Sequence, residues 1–337
     1  VVTANKALIA LHGNAIFHSA QKRGVMVAFE AAVAGGIPII KALREGLAAN
    51  RIEWLAGIIN GTCNYILTQM DEADGDFDEV LREAQRLGYA EADPGFDIGG
   101  ADAAHKLTIL ASIAFGIPLQ FERVHVQGIA GVGAEDIAFA RELGYRIKHL
   151  GIARRAADGI ELRVHPTLIP ARRLLANVNG VMNAILVHAD AVGPTLHCGA
   201  GAGAEPTASS VVADLIDVVR AVTTDPQNRV PHLAFQPGSL ASSPILPIDQ
   251  VETAYYLRLS AINRPGVLAA ITRIFGDSGI SIDTILQKGR GRPNERVTII
   301  MLTQRTRERN MNSALEQLGA LDTIAGEIVH IRLEQLS

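Results

Sequence analysis

A chain of 337 residues, 48% hydrophobic and 20% charged, is long enough for two or more domains with separate cores. A formal net charge of -4 with 4% aromatic residues provides neither the basic footprint of a nucleic-acid binder nor the stacking platforms of a single-strand binder, which leaves small molecules as partners. Cys63 and Cys198, far apart and without CxxC or Cys/His spacing, exclude a disulfide framework and a zinc site and suit a reducing cytoplasm, and no apolar run reaches the ~18 residues that would cross a membrane.

In chain order, Val1 opens in what reads as a strand and Val25 to Phe29 reads as a second, giving an α/β rhythm as far as Ile40. A third strand over 52–59 runs into Asn60-Gly61-Thr62, a cap signal for a helix reaching Met70. Phe77, Val80, Leu81, Ala84 and Leu87 predict an amphipathic helix closed by Gly88, and 102–115 predicts a far more apolar, buried one. An apolar helix follows Pro206-Thr207 as far as Val222, and a proline-punctuated stretch over 223–248 reads as a linker. Beyond it, strands at 255–262, 281–287, 296–302 and 328–333 with helices at 266–278 and 309–318 complete the β-α-β-β-α-β order of a ferredoxin-like domain.

The chemistry concentrates between Gly88 and Lys106, where four carboxylates (Glu91, Asp93, Asp97 and Asp102) precede one lysine. Asp102 and Lys106 stand four apart on one helix face, a spacing that also suits a routine surface ion pair. The apolar residues from Leu107 to Phe115 leave that helix little polar face, which argues for a cleft-lining start where the charges are retained for use. A lysine there serves as general acid or base, and the carboxylates can grip a substrate ammonium, so an amino-acid substrate is expected. His105 reads as a packed core histidine.

The window reads G-Y-x-E-x-D-P-x-x-D-x-x-G-x-D-x-x-x-K and resembles the signature of homoserine dehydrogenases. Thr3-Ala4-Asn5-Lys6, the run from Phe29 to Ile40, Asn60-Gly61-Thr62 and Gly199 to Thr207 agree with it, so the similarity covers essentially the whole chain. The resemblance implies NADP- or NAD-dependent interconversion of L-homoserine and L-aspartate 4-semialdehyde, on the route to threonine, isoleucine and methionine. It makes Lys106 the proton-transfer group, with Lys6 a second candidate near the nicotinamide. Glu91, Asp97, Asp102, Tyr89, Gly61 and Thr62 become substrate-binding residues, and Thr3, Lys6 and Gly203 cofactor contacts. Phe29 to Ile40 mixes small residues that let carbonyls bend toward one point, and there the resemblance implies a sodium ion at Glu30, Val33, Gly35 and Ile37.

Asn263-Arg264-Pro265-Gly266 resembles the strand-to-helix loop of ACT domains, which implies an effector site at Asn263 and Gly266, threonine as feedback inhibitor, and a homodimer or homotetramer. The expected fold class is α/β, with part of a Rossmann-type nucleotide-binding domain, an α/β substrate and dimerisation domain, and a ferredoxin-like ACT domain. The expected boundaries are 1–48 for the nucleotide remnant, 49–198 for substrate binding, 199–222 for a segment returning to the nucleotide domain, 223–250 for the linker and 251–337 for the ACT domain. No strand-GxGxxG-helix unit occurs in the sequence, so the 337 residues read as an N-terminally incomplete member that binds NAD(P) weakly. The rival readings are a non-catalytic ACT-containing amino-acid sensor or assembly subunit, and another NAD-dependent enzyme of an amino-acid semialdehyde.

Overall fold

The computed structural model describes residues 1–288, 292 and 294–336. Val1 to Phe29 does not form two strands. A single parallel bridge joins Val2 to Ala28, with Thr3 N donating to Ala28 O at 3.0 Å and Ala28 N to Val1 O at 2.9 Å, too short a ladder to be a sheet. Between them runs α1 (Lys6–Lys22), opened by Asn5, whose side-chain oxygen accepts from Leu8 N at 2.9 Å.

The turn α2 (Ile39–Lys41) leads to β1 (Ile52–Ile58), α3 (Gly61–Ala73) and α4 (Phe77–Arg86), the last ending where Gly88 takes a φ of 77°. A short turn, α5 (Gly95–Ile98), precedes α6 (Ala101–Phe115), which is buried at every residue from Asp102 to Phe115. Then come β2 (His125–Val126), α7 (Ala134–Glu142), the long strands β3 (Tyr145–Ala156) and β4 (Gly159–Pro170), β5 (Met182–Ala189), β6 (Gly193–Ala200) and α8 (Ala204–Ala221). The C-terminal elements are β7 (Glu252–Ile262), α9 (Val267–Asp277), β8 (Ile282–Lys288), β9 (Arg296–Thr303), β10 (Thr306–Arg307), α10 (Glu308–Gly319) and β11 (Ile324–Leu333).

Two compact units result: Val1–Ala130 with His149–His165 and Asn177–Leu246, and Gly131–Lys148 with Pro166–Ala176 and Pro247–Ser337. In the first, β1 lies between β3 and β5, antiparallel to both, and β6 closes a hairpin on β5. One core gathers Ile9 and Phe17 of α1, Leu107 and Leu110 of α6, Leu55 of β1 and Val187 of β5. The stretch expected as a linker is fastened to this unit: Ala241 N donates to Gly116 O at 2.7 Å, Ile245 bridges Ile160, and Leu233 is buried. Its hydrogen bonds are spent on the domain, which a free linker's are not. On α8, Val212, Leu215, Ile216, Val219 and Val222 are exposed, an apolar stripe at helical spacing.

In the second unit the order β11-β7-β9-β8, with α9 and α10 joining the strands, is the expected ferredoxin-like sheet. Tyr255, Leu257 and Leu259 of β7 meet Ile271 and Phe275 of α9 and Met311 and Leu318 of α10 in its core. Alternate residues of β7 point the other way and hold α7. Arg258 Nε and Nη2 reach the Asp136 carboxylate at 2.6 and 3.0 Å, and the Tyr256 hydroxyl donates to it at 3.0 Å.

A buried histidine, His149, and a half-buried one, His232, give the first unit a pH dependence. His232 stacks on Phe17 at 5.0 Å and accepts from Val27 N at 3.1 Å; burial, with Arg44 nearby, holds its pKa down to about 4. Burial also holds His149 down to about 4. Both rings stay neutral in the fold while the unfolded chain binds protons near pH 6.5. The stability they confer is therefore full above about pH 6.5 and is lost as the pH falls toward 4. Replacing His232→Asn should shrink the difference in urea-unfolding free energy between pH 7 and pH 5 by about 2 kcal/mol; an unchanged difference refutes the assignment.

Candidate active site

Three local structures deliver the site's charges. The end of β1 presents the Ile59 carbonyl and then Asn60, which caps α3 by accepting from Cys63 N at 2.8 Å. The first turns of α6 carry Asp102 and Lys106, and the N-terminus of α1 carries Lys6. Asp102 joins them: one carboxylate oxygen lies 2.9 Å from Lys6 Nζ and the other 2.7 Å from Lys106 Nζ. Lys106 Nζ also donates to Ile59 O at 2.8 Å, and Asn60 Nδ2 donates to Asp102 at 2.9 Å.

Burial separates the two ammonium groups. The Lys106 side chain is 11% exposed and Lys6 35%, while Asp102 is 4% exposed. Burial by itself would raise the Asp102 pKa; the charges of Lys106 and Lys6 outweigh it and, with hydrogen bonds from Lys106 and Asn60, set the carboxyl at about 2. The routine surface pair that the spacing allowed is therefore a buried three-membered bridge. Burial, with Lys6 adding to it, lowers the His105 pKa; its ring lies 4.3 Å from that of Phe121 and 5.6 Å from that of Phe96. The ring is packed, while its buried Nδ1 has no hydrogen-bond partner among the described residues.

Asp97 enters from α5. Its carboxylate accepts from Asn60 Nδ2 at 2.9 Å and from the Thr62 hydroxyl at 3.3 Å, and that hydroxyl also donates to Tyr89 O at 2.6 Å. Gly61 begins α3 against the Val181 carbonyl, which a Cβ at position 61 would meet at 2.8 Å. Lys6, Asp97, Asp102, Lys106, Gly61 and Thr62 are thus brought to one place. Glu91 is not: it is exposed, its backbone carbonyl accepts from Gln85, and among the described residues Lys106 is paired with no carboxylate but Asp102. The loop from Tyr89 to Pro94 carries Glu91 to the surface. Tyr89 is 43% exposed, with its ring 4.9 Å from that of Tyr65, so it forms a rim and not a buried wall.

Sequence reasoning passed over Asn60, which served there only as part of a cap signal. The signal that could have found it is a capping amide placed directly after a buried strand end, where its NH2 group must meet a partner.

Of the expected cofactor contacts, Thr3 accepts from Asn5 N through its hydroxyl at 3.1 Å, close in sequence to Lys6. Gly203 caps α8 with a φ of 118°, a conformation that L side chains rarely adopt. In the expected cation segment, Ala34 and Gly35 take φ values of 53° and 38°, turning successive carbonyls. The Glu30 carboxylate accepts from Ile40 N at 2.9 Å and Lys41 N at 3.0 Å, and burial raises its pKa to about 7. Its side chain is spent on those amides. Gly35 O accepts from Ser210 Oγ and Ile37 O from Ile39 N, both at 2.7 Å, and each carbonyl keeps a second lone pair. Neutral oxygens of this kind fit a hard monovalent cation. Among the described residues no group of three or more His, Cys, Asp or Glu side chains is arranged for a metal.

Comparison with known proteins bears on the same residues. The family pattern described as homoserine dehydrogenase matches residues 38–216, and that of the ACT domain residues 255–322. A homoserine dehydrogenase of Pseudomonas aeruginosa is 63% identical over 337 residues, covering 100% of this chain and 78% of its own length. One of Neisseria gonorrhoeae is 55% identical over 336 residues, covering 100% and 77%. The crystal structure of a homoserine dehydrogenase from Thiobacillus denitrificans, 68% identical, superposes with a TM-score of 0.96 over 100% of this chain and 77% of that one. A hyperthermophilic archaeal homoserine dehydrogenase in complex with NADPH, 30% identical, gives a TM-score of 0.57 over 65% of this chain and 64% of its own.

Proposed function

The chain belongs to the homoserine dehydrogenase family, and from that premise we propose how its residues divide the interconversion of L-homoserine and L-aspartate 4-semialdehyde. The observation that carries the proposal is the buried Asp102 carboxylate bridging two lysines. Lys106 has three N–H donors and spends two, on Ile59 O and Asp102. The third is left for the substrate's C4 oxygen. As the alcohol is oxidised, its hydroxyl proton passes to Lys106 in the free-base form; in the reverse direction Lys106 returns it. A bound NADP or NAD would supply the hydride acceptor or donor for C4. Lys6, more exposed and held by the other Asp102 oxygen, steadies developing charge on the side open to the nicotinamide.

Asp97 accepts only neutral donors, which leaves it lone pairs for the substrate ammonium. Thr62 and the Gly61 backbone complete that pocket, and Glu91 and Tyr89 close on the ammonium from the rim. Thr3, Lys6 and Gly203 meet the cofactor, Gly203 by letting it approach the N-terminus of α8. The cofactor class is supported by the NADPH complex of the archaeal relative. The carbonyls of Glu30, Val33, Gly35 and Ile37 would hold a sodium ion, whose charge would stiffen the loop. A non-catalytic sensor loses ground as a rival, because the lysine and carboxylate set is assembled and the similar proteins are named as dehydrogenases.

The ACT domain takes threonine at Asn263 and Gly266 and acts as a feedback switch in a homodimer or homotetramer. Gly266 caps α9 with a φ of 90°, a conformation that strains any L side chain, and a Cβ there would meet nothing within 4 Å, so a side chain would strain this turn and stand in the way of a ligand. Two free thiols, Cys63 buried and Cys198 exposed, suit a cytoplasmic location. No helix among the described residues is long and apolar enough to cross a membrane.

In the intact natural enzyme, Lys106→Ala should lower homoserine-dependent NADPH formation about 100-fold or more, as loss of a general acid/base group does; a variant within a few-fold of the parent rules out this role. Gly266→Val should abolish inhibition by L-threonine and spare uninhibited turnover. Inhibition that persists unchanged rules out the effector site.

A further inference from the structure

The Asn60 carboxamide touches a helix terminus and both site carboxylates at once. Its oxygen accepts from Cys63 N at 2.8 Å, which fixes the orientation of the amide and leaves Nδ2 as the group facing the site. Nδ2 lies 2.9 Å from Asp97 Oδ1 and 2.9 Å from Asp102 Oδ2. The residue is 4% exposed and still in strand conformation, directly after Ile59, whose carbonyl holds Lys106 Nζ at 2.8 Å. One short stretch of chain therefore ties α3, α5 and α6 to the end of β1.

Capping does not demand asparagine, since aspartate and serine serve a helix N-terminus as well. What the carboxamide adds is a neutral donor on its far side. An aspartate would set a third negative charge against Asp97 and Asp102, and a serine would be too short to reach them. The charged and titratable groups around it are Lys6 of α1, Cys63 of α3, Asp97 of α5, Asp102, His105 and Lys106 of α6, and His149 of β3.

We propose that Asn60 is a positioning residue of the reaction, which sets the separation of Asp97 and Asp102 and through Asp102 aims both lysines at the substrate. This rests on the roles given above to Lys106 and Asp102, and the test separates the two. Asn60→Ser, Asn60→Asp and Lys106→Ala are compared in the intact natural enzyme by thermal melting and by kcat/KM for homoserine oxidation across pH. Both Asn60 variants keep a capping oxygen and should still fold, with a lowered melting temperature because the buried carboxylates lose their neutral donor. Asn60→Ser should lose about 10- to 100-fold in kcat/KM through misplacement of the carboxylates. Asn60→Asp should move the limb on which activity rises with pH upward by about one pH unit, because the added charge favours the protonated base. Parental kcat/KM in the serine variant and an unshifted limb in the aspartate variant, with Lys106→Ala inactive, would reduce Asn60 to a helix cap and overturn the proposal. An active Lys106→Ala would instead overturn the catalytic reading on which it depends. Failure of both Asn60 variants to fold would also count against it, since a capping oxygen would then not have been enough for the structure.

Discussion

A single carboxylate shared by two ammonium groups is the constraint on which the catalytic region depends. Asp102 is nearly without solvent, and an ion in that position is tolerated only when its charge and lone pairs are met by the protein. Lys106 comes from the same helix, one turn on, so helical geometry alone delivers it. Lys6 and Asn60 come from elsewhere in the sequence, and their arrival fixes where α1 begins and where β1 ends relative to α6. Removing any one partner leaves a buried charge incompletely met, so the bridge specifies the geometry as well as the chemistry.

The bridge also explains why one helix can be both core and part of the candidate site. From Leu107 onward α6 packs as an apolar rod in the larger core, and Gly100, with a φ of 91°, begins it at the point where polar residues are needed. A Cβ at Gly100 would meet Val126 at 3.0 Å and the His149 ring at 3.3 Å, so the glycine admits the close approach of strand and helix. The rigid part of the helix thereby anchors the reactive part, as a preorganised site requires.

The second unit repeats the theme with arginine in place of lysine. Glu308 is buried and accepts from the Tyr255 hydroxyl at 2.7 Å and from Arg332, whose charge outweighs burial and holds its carboxyl below the usual range. On the other face of β7, Asp136 is met by Arg258 and Tyr256. Forked guanidinium pairing suits these positions, because both carboxylate oxygens are satisfied by one rigid group. One pair ties α10 to β11 and the other ties α7 to β7, so these two helices have a fixed register against the sheet.

Local pattern alone settled much of this protein. Apolar spacing set out α4, an apolar run set out α6, the cap signal at Asn60 marked the start of α3, and the β-α-β-β-α-β order of the C-terminal region followed from the local pattern of each element. The four-residue step from Asp102 to Lys106 placed them together for the same reason. Tertiary structure decided what depends on distant partners. Two apparent strands before residue 30 came to a single bridge, because strand identity requires a ladder and not only a pattern. In β4, Glu161, Arg163, His165 and Thr167 alternate with apolar residues as if facing water, yet all are buried and Arg163 is bonded to Glu161 and His165. Glu91 stood in the same motif as Lys106 and ended at the surface, whereas Lys6, about 100 residues away, ended on Asp102. Backbone periodicity is fixed by covalent geometry within a few residues, but the partner of a buried charge is chosen only when the chain closes around it.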